Sequence, residues 1–189
     1  MEDHFSPKDS LQLIQSMIEK TKEDISENRI YFLLWGWVTF IGILIQFLLK
    51  VVIGYKYHYL VWLITLIPTI YTINYSRKQS HRVRTYIGES MGYLWMGIGI
   101  SFSVLIFLIS NTQQGWLIGY PFIILFYGLG TFISGKFLQF KPFVIGGIIN
   151  WILAAGAILV SFDYQMLLAA LAILTSYLIP GYLIKRSVK

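Results

Sequence analysis

The sequence predicts an all-α, polytopic membrane protein, with six transmembrane helices arranged as three hairpins and preceded by a cytoplasmic amphipathic helix. Three observations predict this. Of the 189 residues, 56% belong to the hydrophobic and aromatic set and only 13% are charged, and the mean hydropathy is +0.64, which excludes the balance of a water-soluble domain. Six apolar runs, at 30–53, 57–76, 87–110, 116–135, 143–160 and 165–184, account for 126 residues. Each is close to or above the ~20 helical residues that cross a ~30 Å hydrocarbon layer. Finally, 13 of the 15 basic residues fall on one side of the alternation that these runs impose. The spans are read as helices because a membrane strand would alternate with period two over about 10 residues, and these runs are continuously apolar.

The chain divides into a cytoplasmic helix, 1–28, and a six-helix domain, 29–189. Ser6-Pro7-Lys8-Asp9 has the form of a helix start, with Ser6 as N-cap, Pro7 at the first helical position and Asp9 in the capping-box place. Leu11, Ile14, Met17, Ile18 and Ile25 then recur at three- and four-residue steps and form one apolar stripe. Residues 1–28 carry seven acidic and three basic side chains, net −4, whereas the rest of the chain is +10. Interfacial helices are usually rich in Lys and Arg, so an anionic lipid surface is a poor partner for this one. Two readings follow: the helix docks on the protein's own basic face or on its copy in a dimer, or it is a solvated stalk continuing the first span. No cleavable signal peptide is visible, and the first span is expected to serve as the insertion signal.

Lys and Arg resist translocation, so the basic loops set the orientation. Lys8, Lys20, Lys22 and Arg29 precede the first span, Arg77, Lys78, Arg82 and Arg84 lie between the second and third, Lys136 and Lys141 between the fourth and fifth, and Lys185, Arg186 and Lys189 after the sixth. Lys50 and Lys56 alone fall on the other side. Both termini are therefore expected in the cytoplasm, with a basic cytoplasmic face formed by Arg77, Lys78, Arg82, Arg84, Lys136, Lys141, Lys185 and Arg186. Tyr55, Tyr57, Tyr59, Trp62, Trp116, Tyr120 and Tyr164 at outer span ends, and Tyr75 and Tyr182 at inner ones, suit headgroup belts.

Each span carries a line of small or polar residues at helical spacing. The lines are Trp35, Thr39, Gly42 and Gln46 in the first, then Thr65, Pro68, Thr69, Thr72 and Ser76 in the second. The third has Glu89, Gly92, Met96, Gly99 and Ser103, with Gly97 and Ser101 beside them. Gly128, Gly130, Thr131, Ser134 and Gly135 follow in the fourth, Gly147, Asn150, Ala154 and Ala157 in the fifth, and Ala169, Ala172, Ser176 and Pro180 in the sixth. Lipid tails give helices no hydrophobic reason to associate, so small residues and inter-helix hydrogen bonds must hold the bundle, and these lines are expected to face its interior. The alternative use of the same lines is a substrate path. Gln46, Thr69, Glu89, Asn150 and Ser176 are its candidate polar positions. Glu89, about one turn inside the third span, either pairs with Arg82 or Arg84 or acts as a coupling carboxylate. No acid or histidine lies at mid-depth, which disfavours ion-coupled transport and excludes a voltage sensor.

No enzyme motif stands in the chain. Cysteine is absent, and His4, His58 and His81 are too far apart in sequence to suggest a metal site. The run from Gly99 to Ser103 has no partner histidine in another span and reads as packing. No phosphate loop occurs, and the basic loop from Arg77 to Arg84 is too short and too poor in aromatic residues for nucleic acid. No catalytic residue, cofactor or metal ligand is expected.

Trp35, Trp95 and Trp151 recur in the first, third and fifth spans, and GTFISGKFLQF and SYLIPGYLIKR close the fourth and sixth, a weak sign of duplicated hairpins. Three stretches, SMIEKTKEDISENRIYFLLWGW, PFIILFYGLGTFISGKFLQFKPFVIGGIINW and LAILTSYLIPGYLIK, resemble a family of small bacterial six-span integral membrane proteins without a characterised activity. The resemblance covers most of the chain and implies the bacterial inner membrane and nothing chemical. The leading expectation is a non-enzymatic interaction or regulatory membrane component. Besides the lipid bilayer, its partner would be its own copy or a cytoplasmic protein, reached through residues 7–28. A small permease with a weakly polar path around Gln46, Thr69, Asn150 and Ser176 is the second reading, and a membrane enzyme the third.

Overall fold

The computed structural model describes residues 7–27, 29–78, 86–113 and 115–184, with the side chains at 7, 21–27, 29–32, 75–78 and 116 not described. Among the described residues every regular element is helical and there is no strand. The elements in order are α1 (Pro7–Glu27), α2 (Arg29–Phe47), α3 (Leu66–Lys78), α4 (Tyr86–Ser110), α5 (Gly119–Phe137), α6 (Lys141–Ala157), α7 (Phe162–Ile173) and α8 (Ile179–Leu183). Three stretches are long and apolar enough to cross a membrane: Leu33–Val52, Tyr86–Ser110 and Phe162–Leu183. Lys141–Ala157 is apolar but shorter.

Prolines explain where the helices change type. Pro68 can give no N–H to the carbonyl of Ile64, and the expected span 57–76 is a 3-10 helix over His58–Thr65 that becomes α-helical at Leu66. Thr65 and Thr69 hydroxyls donate to the carbonyls of Trp62 (2.6 Å) and Thr65 (2.7 Å) beside that break. Pro180 likewise lacks an N–H for Ser176, and the chain widens into a π turn, Leu174–Leu178, between α7 and α8. A second π turn, Leu48–Val52, closes α2 and carries Lys50.

The closest pairing is α5 with α6, next in sequence across Leu138–Phe140, a turn predicted on the inner side. The packing thus does not follow three separate outer-turn hairpins. At Gly128, Gly135 and Gly147 the two backbones meet so closely that an added Cβ would lie 2.6–3.0 Å from atoms of the facing helix, backbone atoms among them. Gln139 takes a left-handed φ of 51° in the turn, and Phe140 N–H donates back to the Gly135 carbonyl at 2.9 Å. α7 and the following π turn lie against α6 and α2. Ile43, Tyr120, Ile124, Ala154, Ala157, Met166, Ala169, Ala170, Ala172 and Ile173 form the core between these four helices.

The lines of small residues are buried in α5, α6 and α7, as expected, and Gly42 and Gln46 of α2 are buried too. α4 is the exception. Gly92, Met96, Gly99 and Ser103 are exposed, and a Cβ added at Gly92, Gly97 or Gly99 would meet nothing within 4 Å. α4 instead presents its bulky side to α5: Ile98 and Trp95 abut Gly130, Trp95 Nε1 donates to Ser134 Oγ at 3.2 Å, and Phe102 meets Phe126 edge-on at 6.4 Å. The physical reason is complementarity. The small residue at this crossing is Gly130 on α5, so α4 supplies the large ones and its own small line points away.

Candidate functional site

Among the described residues, a polar cluster gathers where α2, the 3-10 helix, α5 and α7 converge. Gln46, the penultimate residue of α2, is buried, and its Oε1 accepts from Trp62 Nε1 at 2.8 Å and from the Tyr120 hydroxyl at 3.3 Å. Its Nε2 lies 3.3 Å from His58 Nδ1. The π turn after Gln46 brings Lys50 to an ion pair with Asp163 in the first turn of α7 and sets its ammonium 3.9 Å above the Phe162 ring. The Tyr120 ring stands 5.5 Å from the same Phe162. Both partners of the ion pair remain partly open to solvent, so the pair contributes on the order of 0.5 kcal/mol and mainly fixes which ends of α2 and α7 meet.

Sequence reasoning placed Trp62 and Tyr120 in a headgroup belt and His58 at a span edge. The structure corrects the first two. Trp62 turns inward to Gln46, and Tyr120 is buried, because Gln46 offers a carbonyl oxygen that a donor-only indole and a phenol can satisfy away from water. Tyr55, Tyr57, Tyr59 and Tyr164 are exposed, in keeping with that reading. Trp116 and Tyr75 side chains lie outside the described residues. Asp163 drew no attention in the sequence. The signal was present: of the nine acidic residues, it is the one predicted to lie on the same side as Lys50.

The remaining candidate polar positions do not join this cluster into a path. Thr69 and Ser176 hydroxyls each donate to the carbonyl four residues earlier, Thr65 at 2.7 Å and Ala172 at 2.6 Å. Glu89 is exposed on α4 and accepts from the Tyr93 hydroxyl at 3.1 Å. Arg82 and Arg84, its expected partners, lie outside the described residues. Asn150 is fully buried in α6 against Gly128 of α5, and neither its Nδ2 nor its Oδ1 has a hydrogen-bond partner. Ser176 packs one turn away along α6, against Gly146. Gln165, buried at the start of α7, donates through Nε2 to the carbonyls of Leu117 (2.9 Å) and Val160 (3.3 Å), while its Oε1 is unpartnered.

Of the basic face, Lys136 and Lys141 are exposed, with Lys136 Nζ 5.7 Å from the Phe132 ring centroid. Arg77 and Lys78 end α3 with side chains outside the description, as Arg82, Arg84, Lys185 and Arg186 are altogether. α1 packs against α4 and α2 and buries Ile18, yet Leu11 and Ile14, the earlier part of the same stripe, stay exposed. Ser6 lies outside the described residues. Among those described, no three His, Asp or Glu side chains come together as a metal site requires.

The recurring tryptophans have a structural counterpart in part. Trp35 Nε1 donates to Thr72 Oγ1 of α3 at 3.0 Å, as Trp95 does to Ser134 of α5, so two of the three bridge to the next span. Trp151 instead packs on Phe132 of the preceding α5, with ring centroids 5.0 Å apart. No protein-family model, curated protein or solved structure matches the chain.

Proposed function

We propose that this is a multi-pass protein of the bacterial inner membrane, crossing six times with both ends in the cytoplasm. It acts as a non-enzymatic interaction or regulatory component. The charge asymmetry of the loops supports the orientation, and three long apolar helices support the membrane. One observation carries the functional part: α4, 25 residues long, turns Glu89, Gly92, Gly99 and Ser103 outward. A surface meant only for acyl chains gains nothing from flat glycines and a hydroxyl, whereas a helix–helix contact gains close backbone approach. The exposed stretch of α1, with Leu11 and Ile14, extends the same opportunity into the cytoplasm.

Because the natural chain has no cysteine, single cysteines can be placed at will. Met96→Cys and Ser103→Cys, cross-linked in native membranes, are expected to give an adduct of defined mass. Ile152→Cys, on the exposed side of α6, is expected to give none. Monomer at every position would overturn the reading. An adduct of twice the chain mass identifies its own copy, and any other defined mass a different protein. A reporter fused after Lys189 tests the orientation, and its export would overturn six crossings.

A small permease is the second reading, favoured by the unpartnered Asn150 amide. It predicts that Asn150→Leu abolishes flux while folded protein persists.

A further inference from the structure

The amide of Gln46 has only one orientation compatible with its neighbours. Trp62 Nε1 can donate and never accept, and it lies 2.8 Å from Oε1. The Tyr120 hydroxyl adds a second donor to that oxygen at 3.3 Å. Nε2 must therefore face His58, 3.3 Å away at Nδ1. Since Nε2 carries only hydrogens, Nδ1 has to supply the lone pair, so His58 is neutral with its proton on Nε2. Protonating His58 would set one donor against another. Rotating the Gln46 amide cannot repair this, because it would aim the NH2 group at the Trp62 N–H.

From this geometry we propose that His58 and Gln46 form an acid-released latch, with neutral His58 holding the start of the 3-10 helix 58–65 against the end of α2 and imidazolium releasing it. The charged and titratable groups around His58 do not offset the loss. On the π turn that closes α2, Lys50 adds repulsion for an imidazolium. On α7, Asp163 attracts one but is already engaged by Lys50. Within its own segment the Tyr59 ring stands perpendicular to His58 at 5.9 Å, and Lys56 lies two residues earlier, directed to Tyr57. Residues 53–57, which lead into the segment, are exposed on their whole length. His58 thereby couples the packing of the 3-10 helix on the end of α2 to the proton concentration on its side of the protein.

The test is hydrogen exchange of residues 58–65 in the full chain in lipid nanodiscs, at about pH 8 and about pH 5, corrected for intrinsic exchange rates. Wild type should exchange roughly fivefold faster at the lower pH, the equivalent of one lost hydrogen bond. His58→Gln retains an acceptor facing Gln46 and cannot titrate, so its protection should be the same at both. Gln46→Glu should reverse the sign, because a carboxylate accepts from Nδ1–H. Equal exchange of the wild type at both pH values, or a pH dependence that survives His58→Gln, would overturn the latch. Should a variant fail to fold, nitrogen NMR of wild-type histidine at high pH decides: His58 protonated on Nε2 supports the proposal, and a proton on Nδ1 rules it out.

Discussion

α4 and the α5–α6 pair are made of the same materials and use them in opposite ways. Gly128, Gly135 and Gly147 sit at backbone contact distance, and a single methyl group has no room there. Gly92, Gly97 and Gly99 of α4 have nothing within 4 Å of where a Cβ would stand. Hydroxyls divide in the same way. Ser134 of α5 is buried and takes the Trp95 N–H, whereas Ser101 and Ser103 of α4 merely donate back to the carbonyls of Gly97 and Gly99. A small residue in a membrane helix is thus permission for close packing, and only a partner of the right shape uses it.

Substituting glycines should separate the two regions most strongly. Gly135→Ala would place a Cβ 2.6 Å from the Val144 backbone nitrogen, and is expected to cost about 1–3 kcal/mol. Gly97→Ala on α4 should cost nothing measurable in the monomer and can gain from helix propensity. Steric-trapping or chemical unfolding in bicelles reads both, and equal effects would dissolve the distinction.

Next in size is Asn150, whose buried amide has no partner in the tight pair. Asn150→Leu keeps the branched shape and removes an unpaired polar group, so a gain of about 1 kcal/mol is expected. A loss of similar size would show that the amide is satisfied by a bound water or ligand. Smaller again is the hydrogen bond that ties α4 to α5. Trp95→Phe should lower unfolding stability by about 0.6 kcal/mol and Ser103→Ala by none, measured in the same assay. The smallest effect belongs to the α5–α6 turn: Gln139→Gly relieves a left-handed backbone at 51° against the added chain entropy of glycine, a net gain of about 0.5 kcal/mol.

Much of this arrangement was legible beforehand. Continuous apolar runs gave α4 over 86–110 against an expected 87–110, and Ser6-Pro7 with the spaced Leu and Ile residues gave α1 to within a residue of its end. The interior lines were right for α5, α6 and α7, where alanine and glycine alternate with Asn150 and Ser176. They failed for α4 because periodicity marks a distinct face without saying whether another helix lies on it. Trp62 and Tyr120 failed for a related reason. An aromatic residue near a span end suits both a headgroup belt and a buried amide, and the presence of Gln46 across the bundle decides.

Local chemistry accounts for what the chain determined by itself: apolar helical segments, three of them of membrane length, and changes of helix type at Pro68 and Pro180, each of which depends on near neighbours or on solvent alone. Which helix backs onto which, that Lys50 meets Asp163 across 113 residues, and that Gln46 is held by three residues from two separate elements were decided only by tertiary structure. Such contacts depend on complementary shape and paired donors brought together from distant parts of the chain, and a linear pattern carries no record of the distance between them.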